Sequence, residues 1–387
     1  MNVSSRLSQI SPSLTLEITG KAKALKKEGV DIISFAAGEP DFDTPAHIVK
    51  AAHEAIDLGK TRYTPAKGMP ELIEAVREKF KQDNNLDYPA SSIIISCGAK
   101  HSLFNAFQTI CQEGDEVIIP SPYWVTYPEQ IRLAGAAPVF LESVEEDGFP
   151  IDRERLVSLI TPRTRAMIVS SPANPTGSGY LREDLEFIAD LAEKNDFYLV
   201  SDEIYEKLVY DDFQAESIAS LSRNIQDRTI VINGVSKSYA MTGWRIGYLA
   251  APENVAKAIS SFQSHSTSAP TTPSQYAALA ALTGDQSCVE EMKEAFEERR
   301  NLVIGRLNRI KGISCTMPKG AFYAFPNISA LGKPSLKLAA ELLDRARIAV
   351  VPGIAFGADG NIRMSFADSL ENLNKGLDRL EQFVNIS

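Results

Sequence analysis

The residues with the clearest chemical potential lie between positions 233 and 248, Asn-Gly-Val-Ser-Lys-Ser-Tyr-Ala-Met-Thr-Gly-Trp-Arg-Ile-Gly-Tyr. Lys237 stands among small residues just past the apolar run 229–232, with Arg245 further along the same stretch. Read alone, Lys237 is an ordinary solvated lysine, as most are. Deprotonated by burial or by a nearby cation, its amine becomes a nucleophile toward a carbonyl. Asp202 closes a second apolar run, 197–201. A carboxylate buried there is costly unless a cation meets it. Cys97-Gly98-Ala99-Lys100 joins the apolar run 93–96 to a helical pattern. Unpaired N–H groups and the helix dipole at such a turn suit an anion, although many strand–helix turns look alike. Lys100 stands near that helix start, where the dipole slightly disfavours a cation.

These positions require a scaffold that brings distant strand ends together. Apolar runs at 93–96, 116–119, 138–142, 166–170, 197–201 and 229–232 alternate with helical patterns. That alternation predicts an α/β fold with a mainly parallel sheet covered on both faces. Ligands of such sheets sit outside the carboxyl ends of the strands, where the residues of interest fall. Helices are expected at 14–29 (ending at Gly29), 45–58, 69–84, 101–111, 285–310 and 336–345, and strands at 31–36, 246–250, 320–325, 348–352 and 361–366. In the last strand Arg363 lies between Ile362 and Met364, and the alternation makes it a solvent-facing arginine.

A net charge of −10 argues against bulk attraction to nucleic acid or anionic membrane, while leaving room for a local basic pocket. Cys97, Cys111, Cys288 and Cys315 form neither a C-x-x-C pair nor a metal-ligand spacing, so free thiols and no metal are expected. No G-x-G-x-x-G follows a strand and no Walker-type lysine motif occurs, which weighs against nucleotide chemistry. Residues 1–12 lack the basic-then-apolar order of a secretory signal, and no apolar run has the length of a membrane span. The expectation is a cytoplasmic protein.

The stretch 236–247 resembles the S-K-x-x-x-x-x-G-x-R-x-G signature of class I aminotransferases. The similarity extends along the whole chain in order: A-G-E-P-D-F (37–42), S-P-Y-W (121–124), N-P-T-G (174–177), D-E-x-Y (202–205) and the Arg363 strand. The resemblance implies fold type I, with a large domain over 47–285 and a smaller α+β domain built from 1–46 and 286–387. It implies pyridoxal 5′-phosphate held as a Schiff base by Lys237, its phosphate by the backbone of Gly98 and Ala99 and by Arg245, and its ring against Trp124, with Lys100 and Ser236 also among the cofactor-binding residues. Asn174 and Tyr205 then meet the phenolic oxygen, and Asp202⁻ supplies the counter-charge that keeps the pyridine nitrogen protonated. Without the resemblance, Trp124 reads as core and Asn174 as a turn former. A further implication is a homodimer in which Tyr63 reaches the other subunit's phosphate. Many relatives carry a hydroxyl or glycine where this chain has Ala99, which offers only its N–H, and N-N-P-T-G where it has Ala173.

The substrate residues implied are Gly38, Trp124, Asn174 and Arg363, the last forking onto an α-carboxylate. Lys100, with Thr15 from the N-terminal arm, is implied for a distal carboxylate, and the arm 1–46 is expected to close over substrate. Similarity is greatest to the bacterial aspartate aminotransferase subgroup that also contains prephenate aminotransferases. The expected reaction is ping-pong transfer of the amino group from L-aspartate to 2-oxoglutarate, giving oxaloacetate and L-glutamate. Alternatives are a prephenate aminotransferase, an aromatic or alanine-type aminotransferase, or a β-lyase on the same fold. A non-catalytic regulator is disfavoured by the acidic chain and by an intact Lys237.

Overall fold

The computed structural model describes residues 4–143 and 148–386; residues 1–3 of the expected arm and residue 387 of the expected small domain lie outside the described residues, as do 144–147. In chain order the strands are β1 (Ile33–Ser34), β2 (Ile93–Ser96), β3 (Glu116–Ser121), β4 (Ala137–Glu142), β5 (Thr164–Ser170) and β6 (Tyr198–Asp202). They continue with β7 (Thr229–Gly234), β8 (Gly247–Ala250), β9 (Tyr323–Ala324), β10 (Ile348–Ala349), β11 (Val351–Pro352) and β12 (Ile362–Ser365). Among the described residues, seven of these make one sheet in the order β2-β8-β7-β6-β5-β3-β4.

The strand sequences read as continuous apolar runs because both faces are covered. Successive residues alternate between separate cores: Ile93 and Ile95 enter one with Val231 and Tyr248, while Ile94 enters another with Val200 and Ile232. Strands β3 to β7 are mutually parallel where they pair, and β8 runs antiparallel to both β7 and β2. β2 therefore points the same way as β7. The ends at Ser96, Ser121, Ser170, Asp202 and Gly234 lie along one edge, as does the beginning of β8 at Gly247. The register puts Gly247 opposite both Ser96 and Gly234. A Cβ on Gly247 would lie 2.2 Å from the Ala99 nitrogen, so the loop before it can approach the turn after β2 only with glycine there.

The C-terminal part builds the antiparallel sheet β11-β12-β9, and β1 pairs in parallel with β10. Helices Ser287–Leu307 and Leu370–Ile386 pack around it. Helix Leu14–Lys27 turns at Gly29 (φ +83) and contributes Ala22 to a core with Phe325, Ala349 and Val351, so the N-terminal segment is packed onto C-terminal strands.

Some boundaries differ from expectation. The helix after β2 begins at Ala99 rather than 101, because Gly98 takes the N-cap position with φ +88. The long helix is shorter at both ends and is not solvated along its whole charged surface, since Arg300 is buried in a pair with Asp211 at 2.8 Å. Helix Ser335–Glu341 gives way to a wider π-helical turn, Leu342–Ala346, ended by Arg347 at φ +58.

A polar cluster lies beneath the end of β6. Glu203 accepts hydrogen bonds from Ser201 Oγ at 2.7 Å and Ser217 Oγ at 2.6 Å, while Lys79 pairs with Glu206. Burial, and next the Glu206 charge, push Glu203 up to about 7. The folded state then holds a proton that the unfolded state, with its ordinary carboxyl, has released. Stability from this group is full below pH 4.5 and is lost as pH rises through about 7. Glu203→Gln is expected to flatten the fall in melting temperature across that window; an unchanged slope would refute the assignment.

Candidate active site

The converging strand ends border a cleft of about 480 Å³. It is lined by Thr15, Gly38, Ala99, Lys100, Trp124, Asn174, Asp202, Tyr205, Ser236, Lys237, Arg245 and Arg363. Two residues expected at the site lie outside this lining. Gly98 sits behind Arg245, where a Cβ would come 2.5 Å from a guanidinium nitrogen. Tyr63 is 96% exposed and away from its own chain's cleft.

Lys237 follows β7 and is partly buried, its Nζ donating to the Gly38 carbonyl. Its ammonium lies 5.6 Å from the Phe322 ring centroid and 5.8 Å from that of Tyr205. Burial is the main reason its pKa falls to about 8, and Arg363 is the next. Arg245 adds a smaller lowering than Arg363. Glu39 and Asp202 oppose the fall. With a pKa near 8, roughly a tenth of Nζ is neutral at pH 7, far more than for an ordinary lysine, and the neutral form is what a nucleophile or base requires.

Asp202, at the end of β6, is buried. Tyr127, on helix Thr126–Leu133, donates its O–H to Oδ2 at 2.7 Å, and the Ile204 amide approaches Oδ1 at 3.4 Å. Burial raises the Asp202 pKa, while these two donors and Lys237 act against it. Neither donor carries charge, so the carboxylate keeps the capacity to hold a cation such as a protonated ring nitrogen.

Arg363 corrects the solvent-facing expectation: all four residues of β12 are buried, because this short strand has side chains covered on both faces. Its Nη1 donates to Asn174 Oδ1 at 2.9 Å and its Nη2 to the Ala36 carbonyl at 3.2 Å. The guanidinium stacks on Tyr323 at 4.4 Å and Phe356 at 5.1 Å. Its Nε has no hydrogen-bond partner, and no acidic side chain among the described residues pairs with the group. A buried cation without a counter-charge is a site prepared for an anion. With Oδ1 engaged, Asn174 retains its Nδ2 as a donor.

Arg245, at φ +56, donates to the carbonyls of Thr242 at 2.7 Å and Cys97 at 3.4 Å. It faces the N-terminus of helix Ala99–Ile110, so a guanidinium and free amides meet where an anion would sit. Lys100 Nζ lies 4.8 Å from the Trp124 ring centroid, and its pKa is lowered by burial and then by Arg245.

Several residues at the cleft were not singled out by the sequence. Tyr127 follows Trp124 by one helical turn, and Tyr323 is a hydroxyl in the aromatic run of β9, bonded at 2.9 Å to Tyr205. Glu39 accepts from Thr242 Oγ1 at 3.0 Å, tying the Gly38 turn to the Lys237 loop. For Tyr323 the available signal was a hydroxyl in the apolar run 321–325; Tyr127, followed by Pro128, Glu129 and Gln130, carried no such signal. Their partners are remote in sequence.

Residues 30–380 match the family Aminotransferase class I and II, and the chain belongs to that family. It is 48% identical to the aspartate aminotransferase of Geobacillus stearothermophilus over 389 residues, covering 99% of each chain. It is 46% identical to the aspartate/prephenate aminotransferase of Thermus thermophilus over 385 residues, covering 99% of this chain and 98% of that one. The crystal structure of the Rhizobium meliloti aspartate aminotransferase superposes with a TM-score of 0.96 at 41% identity, covering 100% of this chain and 99% of that one. The Thermus thermophilus aspartate aminotransferase solved with maleate gives 0.95 at 45% identity, covering 99% of both. The fold is that of fold type I transferases, and the enzyme is a pyridoxal-phosphate-dependent aminotransferase.

The cleft fits that cofactor. Asp202 offers a buried anion to a pyridinium, Arg245 and the turn at Ala99 form an anion cradle, and Lys237 provides a depressed amine. With Arg363 as the carboxylate receptor, saturating succinate should stabilise the protein by about 2–3 kcal/mol at a hundredfold excess over Kd. Arg363→Met should abolish that increment in a thermal-shift titration. An equal increment in both proteins would exclude the role.

Proposed function

We propose that the enzyme transfers the amino group of L-aspartate to 2-oxoglutarate, giving oxaloacetate and L-glutamate in a ping-pong cycle. The observation that carries this reading is one cleft lined by Arg363 and Lys100 in addition to Lys23, Lys237 and Arg245, with no ion pair for Arg363 or Lys100 among the described residues. Two such cations suit a dicarboxylic substrate. Relatives named as aspartate aminotransferases, and the Thermus thermophilus structure with maleate, support it.

When bound, pyridoxal phosphate supplies the aldehyde carbon that takes the amino group and a ring that accepts the electron pair left at Cα. In this reading Arg245, Ser236 and the Ala99 amide hold its phosphate; the Gly98 amide, expected there too, is instead given to the Ser96 carbonyl at 2.8 Å. Trp124 faces its ring, Asp202 keeps the ring nitrogen protonated, and Asn174 Nδ2 and Tyr205 meet its phenolic oxygen. Arg363 orients the substrate's α-carboxylate with Asn174 and the Gly38 backbone, and Lys100 with Thr15 receives the distal one. With the cofactor bound, neutral Lys237 Nζ would take the proton from the substrate's Cα and serve as the base that carries it. Its depressed pKa makes the neutral amine accessible, and the bond to Gly38 places it beside the substrate segment.

The same reading divides the chain into a large domain over 47–285 and a small one from 1–46 and 286–387. Helix Leu14–Lys27 lines the cleft, which supports closure of the arm over substrate. It also takes the active enzyme as a cytoplasmic homodimer, since Tyr63 is exposed away from its own cleft and is available to a second copy. Among the described residues no helix is long and apolar enough to cross a membrane.

The test is the visible spectrum with aspartate alone. The yellow band should convert, with about one oxaloacetate released per site, and 2-oxoglutarate should restore it. Lys100→Met should raise KM for aspartate roughly tenfold, about 1.4 kcal/mol, and leave alanine turnover within about twofold. A yellow protein unmoved by aspartate but converted by prephenate and glutamate would transfer the assignment to the aspartate/prephenate relatives' second activity.

A further inference from the structure

Tyr127 touches both groups assigned to the cofactor ring. Its hydroxyl donates to Asp202 Oδ2 at 2.7 Å, and its ring meets Trp124 edge-on, with centroids 5.5 Å apart and planes at 86°. It is 2% exposed, fixed on helix Thr126–Leu133, with its ring in the core that also holds Val200 and Ile232. A phenol has one proton. That proton goes to Asp202 at 2.7 Å; Ser170 Oγ, at 3.3 Å, is the weaker alternative acceptor for the same O–H. The Tyr127 O–H is therefore directed chiefly at the carboxylate, by much the shorter of its two contacts.

We propose that Tyr127 is a positioning residue that keeps Asp202 ionised and aimed, and that braces Trp124, so that one side chain sets both contacts with the cofactor ring. This rests on the pyridoxal-phosphate reading of the cleft. Burial favours a protonated Asp202, and a protonated acid cannot supply the charge a pyridinium requires. The Tyr127 hydrogen bond favours the ionised form. The phenol remains a donor throughout the working range because burial and the Asp202 charge hold its own pKa far above 10. The Ile204 amide, at 3.4 Å, is too long to replace it.

Tyr127→Phe removes the hydroxyl and keeps the ring beside Trp124. The measurement is pyridoxal phosphate binding to the cofactor-free protein, followed by quenching of tryptophan fluorescence. About a tenfold weaker Kd is expected, along with a shift in the pH at which the bound cofactor's visible band titrates. Turnover of aspartate should show a lower kcat with KM within about threefold. The same substitution made on Asp202→Asn should change Kd by less than about twofold, because no charge remains to hold. Ser170→Ala, which removes the competing acceptor and leaves the Tyr127–Asp202 bond, should keep Kd within about twofold; a loss as large as that of Tyr127→Phe would also overturn the proposal. Wild-type Kd and titration in Tyr127→Phe, or an equal loss on the Asp202→Asn background, would overturn the proposal. A wild-type chain that fails to bind the cofactor would overturn the underlying reading instead.

Discussion

The site depends on keeping charged groups of opposite sign buried without neutralising one another. Asp202 ends a strand whose neighbours are apolar, and Arg363 lies within a wholly buried one. In most interiors such groups would pair, because a lone buried charge costs several kcal/mol. Here each is held by neutral partners: a phenol and an amide for Asp202, an amide oxygen, a carbonyl and two aromatic faces for Arg363. Neutral partners steady a charge without consuming it, so both remain available to a ligand. The cores on either side of the sheet and around the C-terminal strands bear this cost.

Lys237 draws on the same arrangement. Its pKa falls because it is buried and faces Arg363, while Asp202 and Glu39 limit the fall. An amine with a pKa near 8 can change protonation state during a cycle without a large energetic step. Placing it within the influence of both buried charges lets one small region tune nucleophile, ring anchor and carboxylate receptor together.

Backbone proximity is the other constraint. Gly98 and Gly247 allow the turn after β2 and the loop before β8 to meet, because a Cβ at either would clash with Arg245 or with Ala99. Each belongs to a different strand end, and the antiparallel insertion of β8 between β2 and β7 brings them to one edge. An all-parallel arrangement would have put the start of β8 at the opposite edge, and Arg245 with it.

The sequence determined the alternation of apolar runs and helices, hence a covered, mainly parallel sheet with its ligand edge at the strand ends. Local motifs also singled out Lys237, Asp202 and Arg245 as candidates for chemistry, while Asn174 entered only through the family resemblance. These are short-range facts, set by periodicity and by neighbours within a few positions. What only the tertiary structure decided involves partners far apart in the chain. The burial of Arg363 was hidden because a polar residue between apolar neighbours looks solvent-facing until both faces of its strand are seen to be covered. The partnership of Tyr127 with Asp202, the contribution of Arg363 to the Lys237 pKa, and the tie from Glu39 to Thr242 each span many tens of residues. No periodicity encodes them; they exist because several strands end on one edge and the C-terminal sheet closes over it.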